Sequence, residues 1–258
     1  MAEKQADTVT AAMLAIGDEL LSGRTKDRNI AYLADYLTTL GIDLKEVRIV
    51  GDEQQQIVAA VNALRATHDY VFTSGGIGPT HDDITADAMG DAFGLPVGHD
   101  PATLEMMGAH YAGRGIEFTE ARKRMARFPQ GATPIDNPVS KAPGFKIGNV
   151  HVMAGVPSIF QAMLESIAPT LKTGVKTISR HVDCPFPEGT IGELLTMIAQ
   201  ENRDVAIGSY PRFDGKTFSV QIVVRGRDEA KINAAVEAVE AMVAQLSATE
   251  GSALAKRV

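Results

Sequence analysis

The amino-acid sequence predicts an α/β protein: a mostly parallel sheet between two layers of helices, followed by a small α+β domain. Three observations carry this prediction. Short apolar runs alternate with amphipathic stripes, the links between them are short and polar, and the order of elements changes near residue 173. The division is therefore 1–172 and 173–258.

Residues 11–17 (AAMLAIG) form a first strand that ends in glycine. Ile30, Leu33, Leu37 and Leu40 then share one helical face, with Asp27 or Asn29 available as the cap and Gly41 as the stop. A second strand, LKEVRIV at 44–50, leads to a stripe of Ile57, Val61 and Leu64, and a third, DYVFTS at 69–74, enters a glycine cluster. Residues 84–127 read as helical with glycine and proline breaks, and 128–145 as a Pro/Gly-rich passage. A strand at 149–155 and a helix opened by Pro157 complete the first domain. The second reads as strand 175–183, helix 188–201, strands 205–210 and 217–225, and helix 228–247.

Composition narrows the function classes. With 25 Lys+Arg against 32 Asp+Glu the formal charge is −7, which argues against wrapping a nucleic acid. Aromatic residues are only 5% of the chain with no Trp, too few for a base-stacking platform. The single Cys184 excludes an internal disulfide framework and fits a reducing, cytoplasmic setting as a structural residue. No apolar run is long enough for a membrane span, and no signal peptide is visible. A small molecule is the expected partner, with no nucleic acid and no membrane.

The chemistry concentrates in loops at the carboxyl ends of the predicted strands, where such sheets bind ligands. Ser74-Gly75-Gly76-Ile77-Gly78-Pro79-Thr80-His81-Asp82-Asp83 lies between a strand and a helix. Gly75, Gly76 and Gly78 let backbone N–H groups approach a phosphate, and Ser74 and Thr80 add hydroxyls. The loop matches neither the Walker pattern nor the dinucleotide fingerprint, and its glycines alone also suit a plain turn. Asp82 and Asp83 would repel an anion unless a divalent cation lay between. One of the pair, Asp83, is equally suited to capping the next helix through Thr85 and Ala86. Asp18 and Glu19 follow the first strand and Asp52 and Glu53 the second, so the acids converge on one crevice. Arg122, Lys123, Arg124 and Arg127 read as a solvated helix face, and His81 as a solvated loop residue.

Six ordered motifs then resemble a known family: GDELLSG (17–23), the Asp27/Asn29 pair, VGDEQQQI (50–57), SGGIGPTHDDIT (74–85), NPVSKAPGF (137–145) and AGVPSIF (154–160). Together they are similar to the molybdopterin-binding, MogA/MoaB-like family, and most to the N-terminal domain of CinA, the competence/damage-inducible protein A. The resemblance implies a three-layer α/β/α fold over about residues 10–172; the remainder is similar to the KH-like middle domain of CinA. Many CinA proteins carry a further nicotinamide-mononucleotide deamidase domain, which is not expected here.

The resemblance implies chemistry on a phosphoanhydride. CinA-type domains are associated with metal-dependent hydrolysis of ADP-ribose to AMP and ribose 5-phosphate; MogA-type enzymes adenylylate molybdopterin. In the latter an Arg-Asp pair follows the glycine loop; Asp83 matches its acid and Asp82 replaces its arginine, which favours hydrolysis. The expected catalytic residues are Asp52 and Asp83. A divalent metal, Mg or Co, is expected on Asp18, Glu19, Asp82 and Asp83, and phosphate on Ser74, Gly75, Gly76, Gly78, Thr80, Asn29 and Lys141. Molybdopterin adenylylation or binding, and a non-catalytic nucleotide-binding module, stand as alternatives. A homo-oligomer, with a dimer favoured, is the expected assembly.

Overall fold

The computed structural model describes residues 8–213, 215 and 218–249, and the backbone of 250–255. The chain divides after Gly174 into two units.

In the first unit, strand β1 (Val9–Ile16) is buried on both sides. Ala12, Leu14 and Ile16 enter one core, and Val9, Ala11 and Met13 the other. That is why its sequence is a continuous apolar run: a central strand with helices on both faces has no solvent side to make polar. Helix α1 (Asp18–Leu21) is a single turn. Helix α2 (Asn29–Thr39) buries Leu33 and Leu37, and Asp27 Oδ1 accepts the Ile30 N–H at 2.7 Å across its start. Strand β2 (Ile42–Val50) is followed by α3 (Gln54–Arg65), which buries Ile57, Val61 and Leu64. Strand β3 (Tyr70–Ser74) leads through the glycine loop into α4 (Thr85–Phe93).

The interval 84–127 is less helical than its sequence suggests. After β4 (Val97–His99) come α5 (Pro101–Gly113) and α6 (Glu120–Lys123), and then β5 (Arg127–Pro129), which pairs antiparallel with β4. The Pro/Gly-rich passage also holds structure. Strands β6 (Thr133–Ile135) and β7 (Gly144–Ile147) extend the main sheet beyond β8 (Val150–Met153). Helix α7 (Pro157–Ile167) begins at its proline and buries Phe160, Met163 and Leu164.

The resulting sheet has the order β2-β1-β3-β8-β7-β6. The first four strands are mutually parallel and the β8–β7 and β7–β6 pairs antiparallel. Ala60, Val61, Ala88 and Met89 of α3 and α4 cover one face, and Leu33, Leu37, Phe160 and Met163 of α2 and α7 the other. From β1 the chain moves outward to β2 and returns on the other side as β3, so the order reverses beside β1. This topological switch point opens a crevice at the carboxyl ends.

The second unit comprises β9 (Ile178–Cys184), α8 (Glu188–Glu201), β10 (Ala206–Phe213), β11 (Phe218–Gly226) and α9 (Glu229–Ala255). Its antiparallel sheet has the order β10-β11-β9. Cys184 is buried there with Val182, Phe186, Ile191 and Ile222, in keeping with a structural thiol. Among the described residues no helix is long and apolar enough to cross a membrane.

Candidate functional site

A cavity of about 540 Å³ lies at the switch point. Its lining comes from four strand ends: Gly17 and Glu19 after β1, Asp52 after β2, Gly75–Pro79 with Asp82 and Asp83 after β3, and Ala154–Pro157 after β8. Met125, Asn137, Ser140 and Ala142 close the remaining side.

The glycine loop is held so that only glycine fits at two positions. A Cβ on Gly75 would stand 2.1 Å from the Ile16 carbonyl oxygen, and one on Gly76 2.1 Å from Thr85 Oγ1. Both residues also adopt positive φ, +114° and +67°. Buried Thr85 fixes the loop from below, its hydroxyl donating to the Gly75 carbonyl and its N–H to the Gly76 carbonyl.

Ser74 is not an open phosphate donor. It is buried, and its Oγ accepts from Asn29 Nδ2 at 2.8 Å. The same Nδ2 donates to the Gly155 carbonyl at 2.8 Å, so Asn29 ties the β3 exit to the β8 exit beneath the cavity. Asn29 Oδ1 is buried without a protein partner. Neither Ser74 nor Asn29 lines the cavity; both support it.

Asp83 does not cap α4. Its Oδ2 accepts from the Thr80 N–H at 2.8 Å and the Thr80 hydroxyl at 2.6 Å, which folds the loop back on itself. Thr80 is thereby engaged and lies outside the lining, while Asp82 and Asp83 both line the cavity. Hydrogen bonding to the Thr80 hydroxyl and to a backbone N–H holds the exposed Asp82 carboxyl below its ordinary range. The exposed His81 stands 3.9 Å from Asp82.

Asp18 and Asp52 bridge the first two strand ends. Asp18 faces Asp52 rather than the cavity, and the Asp52 carboxyl titrates above the usual aspartate range. Burial is the main cause; the hydrogen bond from Asp18 opposes it, and the charges of Asp18, Glu19 and Asp82 add to it. A raised proton affinity in a cleft marks a candidate acid–base group.

The four acids expected to hold a metal are thus differently engaged. Asp18 is turned to a backbone N–H, Asp83 to Thr80, and Glu19 and Asp82 face the cavity. Among the described residues no three His, Cys, Asp or Glu side chains are grouped to hold a metal ion. A magnesium-type ion takes one or two carboxylates plus substrate phosphates and waters. The donor set fits an ion shared with a bound phosphate better than a protein cage.

Lys141 lies outside the lining. It adopts φ +63° within a turn organised by Asn137, whose Oδ1 accepts from the Val139 and Ser140 N–H groups. Asn137 and Ser140 are lining residues that sequence reasoning passed over, although the NPVSKAPGF motif contains both. The basic run is consumed locally. Arg127 makes a two-pronged bond to Asp87, Lys123 pairs with Glu120, and Arg122 packs on the Tyr111 ring. Arg124 reaches behind the glycine loop to the Asp83 carbonyl at 3.4 Å.

A glycine loop and clustered carboxylates at the switch point of a three-layer α/β/α sheet define a small-molecule-binding domain of the MogA/MoaB-like class. The chain belongs to the molybdopterin-binding family: residues 12–173 match the model described as "Probable molybdopterin binding domain". Residues 176–250 match that of the FAD synthase middle domain; the small unit, expected to be KH-like, resembles that domain. A protein of Aeropyrum pernix is 32% identical over 90% of both chains. A CinA-like protein of Myxococcus xanthus is 38% identical over 59% of this chain and 37% of its own. The crystal structure of CinA from Thermoplasma acidophilum, described as of unknown function, superposes with a TM-score of 0.58. It is 31% identical and covers 63% of this chain and 98% of that one. The chain is thus of the CinA N-terminal type.

Proposed function

We propose that the cavity binds a phosphorylated heteroaromatic small molecule, with molybdopterin or its adenylylated form as first candidate. The observation that carries this reading is the mixed lining of the cavity. Backbone of the glycine loop and the acids Asp52 and Asp82 share it with the apolar side chains of Ile77, Met125, Val156 and Ile159. The N–H groups of Gly76, Ile77 and Gly78 suit a phosphate, whereas that of Gly75 donates to the Met153 carbonyl, and the apolar side chains suit a flat ring. Membership of the molybdopterin-binding family supports a pterin as that ring.

A second reading, metal-dependent hydrolysis of ADP-ribose to AMP and ribose 5-phosphate, is favoured by the charge of the lining. Glu19, Asp52, Asp82 and Asp83 line the cavity, and no Lys or Arg is among the described residues that do. A pyrophosphate entering this field needs a cation brought with it. A divalent ion, Mg or Co, would neutralise the pyrophosphate and lower the pKa of a bound water when present. In this reading Glu19 and Asp82 would hold it and the glycine-loop amides would orient the phosphate. Asp52 Oδ1 is free to take a proton, since Oδ2 accepts from Asp18. The match of the second unit to FAD synthase adds FAD, which shares the AMP half of ADP-ribose, to the substrates worth testing.

The test uses the purified full chain with ADP-ribose, FAD, and ATP plus molybdopterin, each with Mg or Co. Adenylylated pterin, or stoichiometric molybdopterin binding without turnover, supports the first reading. AMP release from ADP-ribose supports the second, and Asp83→Asn should then slow turnover more than binding. If no ligand of the panel binds, both readings fail.

A further inference from the structure

Asn137, 1% exposed, is the hub of the loop that closes the cavity. Its Oδ1 accepts from the Val139 N–H at 3.0 Å and the Ser140 N–H at 3.2 Å. Its Nδ2 donates to Ser140 Oγ at 2.6 Å and to the Ala142 carbonyl at 2.7 Å. The backbone partners fix which end of the amide is which, because only oxygen accepts from an N–H and only nitrogen donates to a carbonyl. Both N–H bonds of the amide are therefore spent, and Asn137 has no donor left for a ligand.

Ser140 is left in the opposite condition. Its Oγ accepts from a nitrogen that cannot accept in return, so the hydroxyl proton has to turn elsewhere. No group among the described residues takes that proton, and Ser140 lines the cavity. The turn that carries it is held further by the Lys141 N–H, which donates to the Asn137 carbonyl at 3.0 Å. Side-chain donors are scarce around it. Glu19, Asp52, Asp82 and Asp83 only accept when ionised, and no Lys or Arg is among the described lining residues. Thr25 and Ser140 supply the remaining hydroxyls, and Thr25 is exposed where Ser140 is half-buried. The N–H and O–H groups of a ligand thus meet abundant acceptors, whereas an ionised phosphate oxygen, which can only accept, has few partners.

We propose that Ser140 is a ligand-binding residue: its hydroxyl, oriented by Asn137, donates to a phosphate oxygen of the molecule in the cavity. This rests on the reading that the cavity takes a phosphorylated ligand. It adds a side-chain donor from the loop before β7 to the backbone N–H groups of the glycine loop. Because the bonds to Asn137 fix the turn beforehand, little ordering of the loop is left to pay on binding.

Calorimetric titration of the full chain with inorganic pyrophosphate and Mg tests this, with pterin and adenosine as phosphate-free probes. Ser140→Ala should weaken pyrophosphate binding roughly ten- to hundredfold, the loss of one hydrogen bond to a charged acceptor, and leave the phosphate-free probes unmoved. Ser140→Thr keeps the hydroxyl and should retain most of the affinity. Asn137→Asp puts a carboxylate oxygen where Nδ2 stands, so the Ser140 proton turns to it and away from the cavity. Adding Ser140→Ala to that variant should then cost nothing more. The single variant and its three probes keep the proposal testable if Asn137→Asp folds poorly. A wild-type chain that binds no pyrophosphate overturns this inference together with the reading it rests on. Undiminished pyrophosphate binding in Ser140→Ala overturns this inference alone. So does an equal loss for pterin or adenosine, or a full further loss on top of Asn137→Asp.

Discussion

Asp18 and Asp52 exchange hydrogen bonds across the first two strand exits. The Asp18 N–H donates to Asp52 Oδ2 at 3.0 Å, and the Asp52 N–H donates to Asp18 Oδ1 at 3.3 Å. The exchange ties the β1 loop to the β2 loop and engages one oxygen of Asp52, itself a lining residue of the cavity.

Asp52→Asn keeps an acceptor for the Asp18 N–H and removes a charge that burial and three neighbouring carboxylates disfavour. With its folded pKa raised, the ionised Asp52 costs stability that grows as pH climbs through and above the ordinary aspartate value. The variant should therefore melt no lower than the wild type at neutral pH while losing turnover of any phosphoanhydride substrate. Thermal melts and activity assays run side by side check both halves. A variant that is both destabilised and active would remove Asp52 from the proposed chemistry.

Asn29→Ala leaves the Ser74 hydroxyl and the Gly155 carbonyl without their shared donor. Loss of such buried hydrogen bonds costs about 1–3 kcal/mol. The β3 and β8 exits should loosen, so ligand affinity should drop although Asn29 does not line the cavity. Chemical denaturation and ligand titration measure the two effects. Ser74→Ala, which removes only an acceptor, should be milder in both.

Gly76→Ala places a methyl 2.1 Å from Thr85 Oγ1 at φ +67°. The left-handed conformation alone costs about 1–2 kcal/mol for a non-glycine residue, and the clash displaces the helix start that holds the loop. A marked fall in the melting temperature and loss of ligand binding are expected. Gly94→Ala, also at positive φ but with nothing within 4 Å, should cost stability and spare binding.

His151 sets a pH dependence remote from the acids. It is fully buried in β8, stacked on Phe72 with ring centroids 5.3 Å apart, and neither ring nitrogen has a partner. Burial first, then the nearby Lys146 charge, lowers its pKa from 6.5 to about 4. The unfolded chain binds this proton more readily, so stability falls as pH drops from 6.5 toward 4, by about 3 kcal/mol at most. Denaturation midpoints across that window should decline in the wild type and lose most of this slope in His151→Phe. Parallel slopes in the two proteins would refute the assignment.

The parts of the fold that show in the sequence are those with a period. The stripe of Leu33 and Leu37, the caps at Asp27 and Gly41, and the apolar run of β1 each record a local rule, and the structure obeys them. Strands β4, β5, β6 and β7 have three or four residues, several of them Pro or Gly. So short a run carries no period, and pairing with a neighbour is what makes it a strand. The site divides in the same way. Its loops are recognisable because strand exits at a switch point are where ligands bind. The direction of each side chain is not, because Ser74, Thr80 and Asp83 have several acceptors and donors within reach and only packing selects among them.

The sequence by itself determined the layer architecture, the glycine loop and the acids that gather around it, because burial pattern and backbone freedom are written residue by residue. Tertiary structure alone decided that Asn29 braces the floor, that Asp83 folds onto Thr80, and that Asp52 keeps a free oxygen in a cleft of like charge. Those outcomes depend on which groups are brought within about 3 Å across the sheet, and residues far apart in the chain, such as Asn29 and Gly155, meet only when the strands between them have paired.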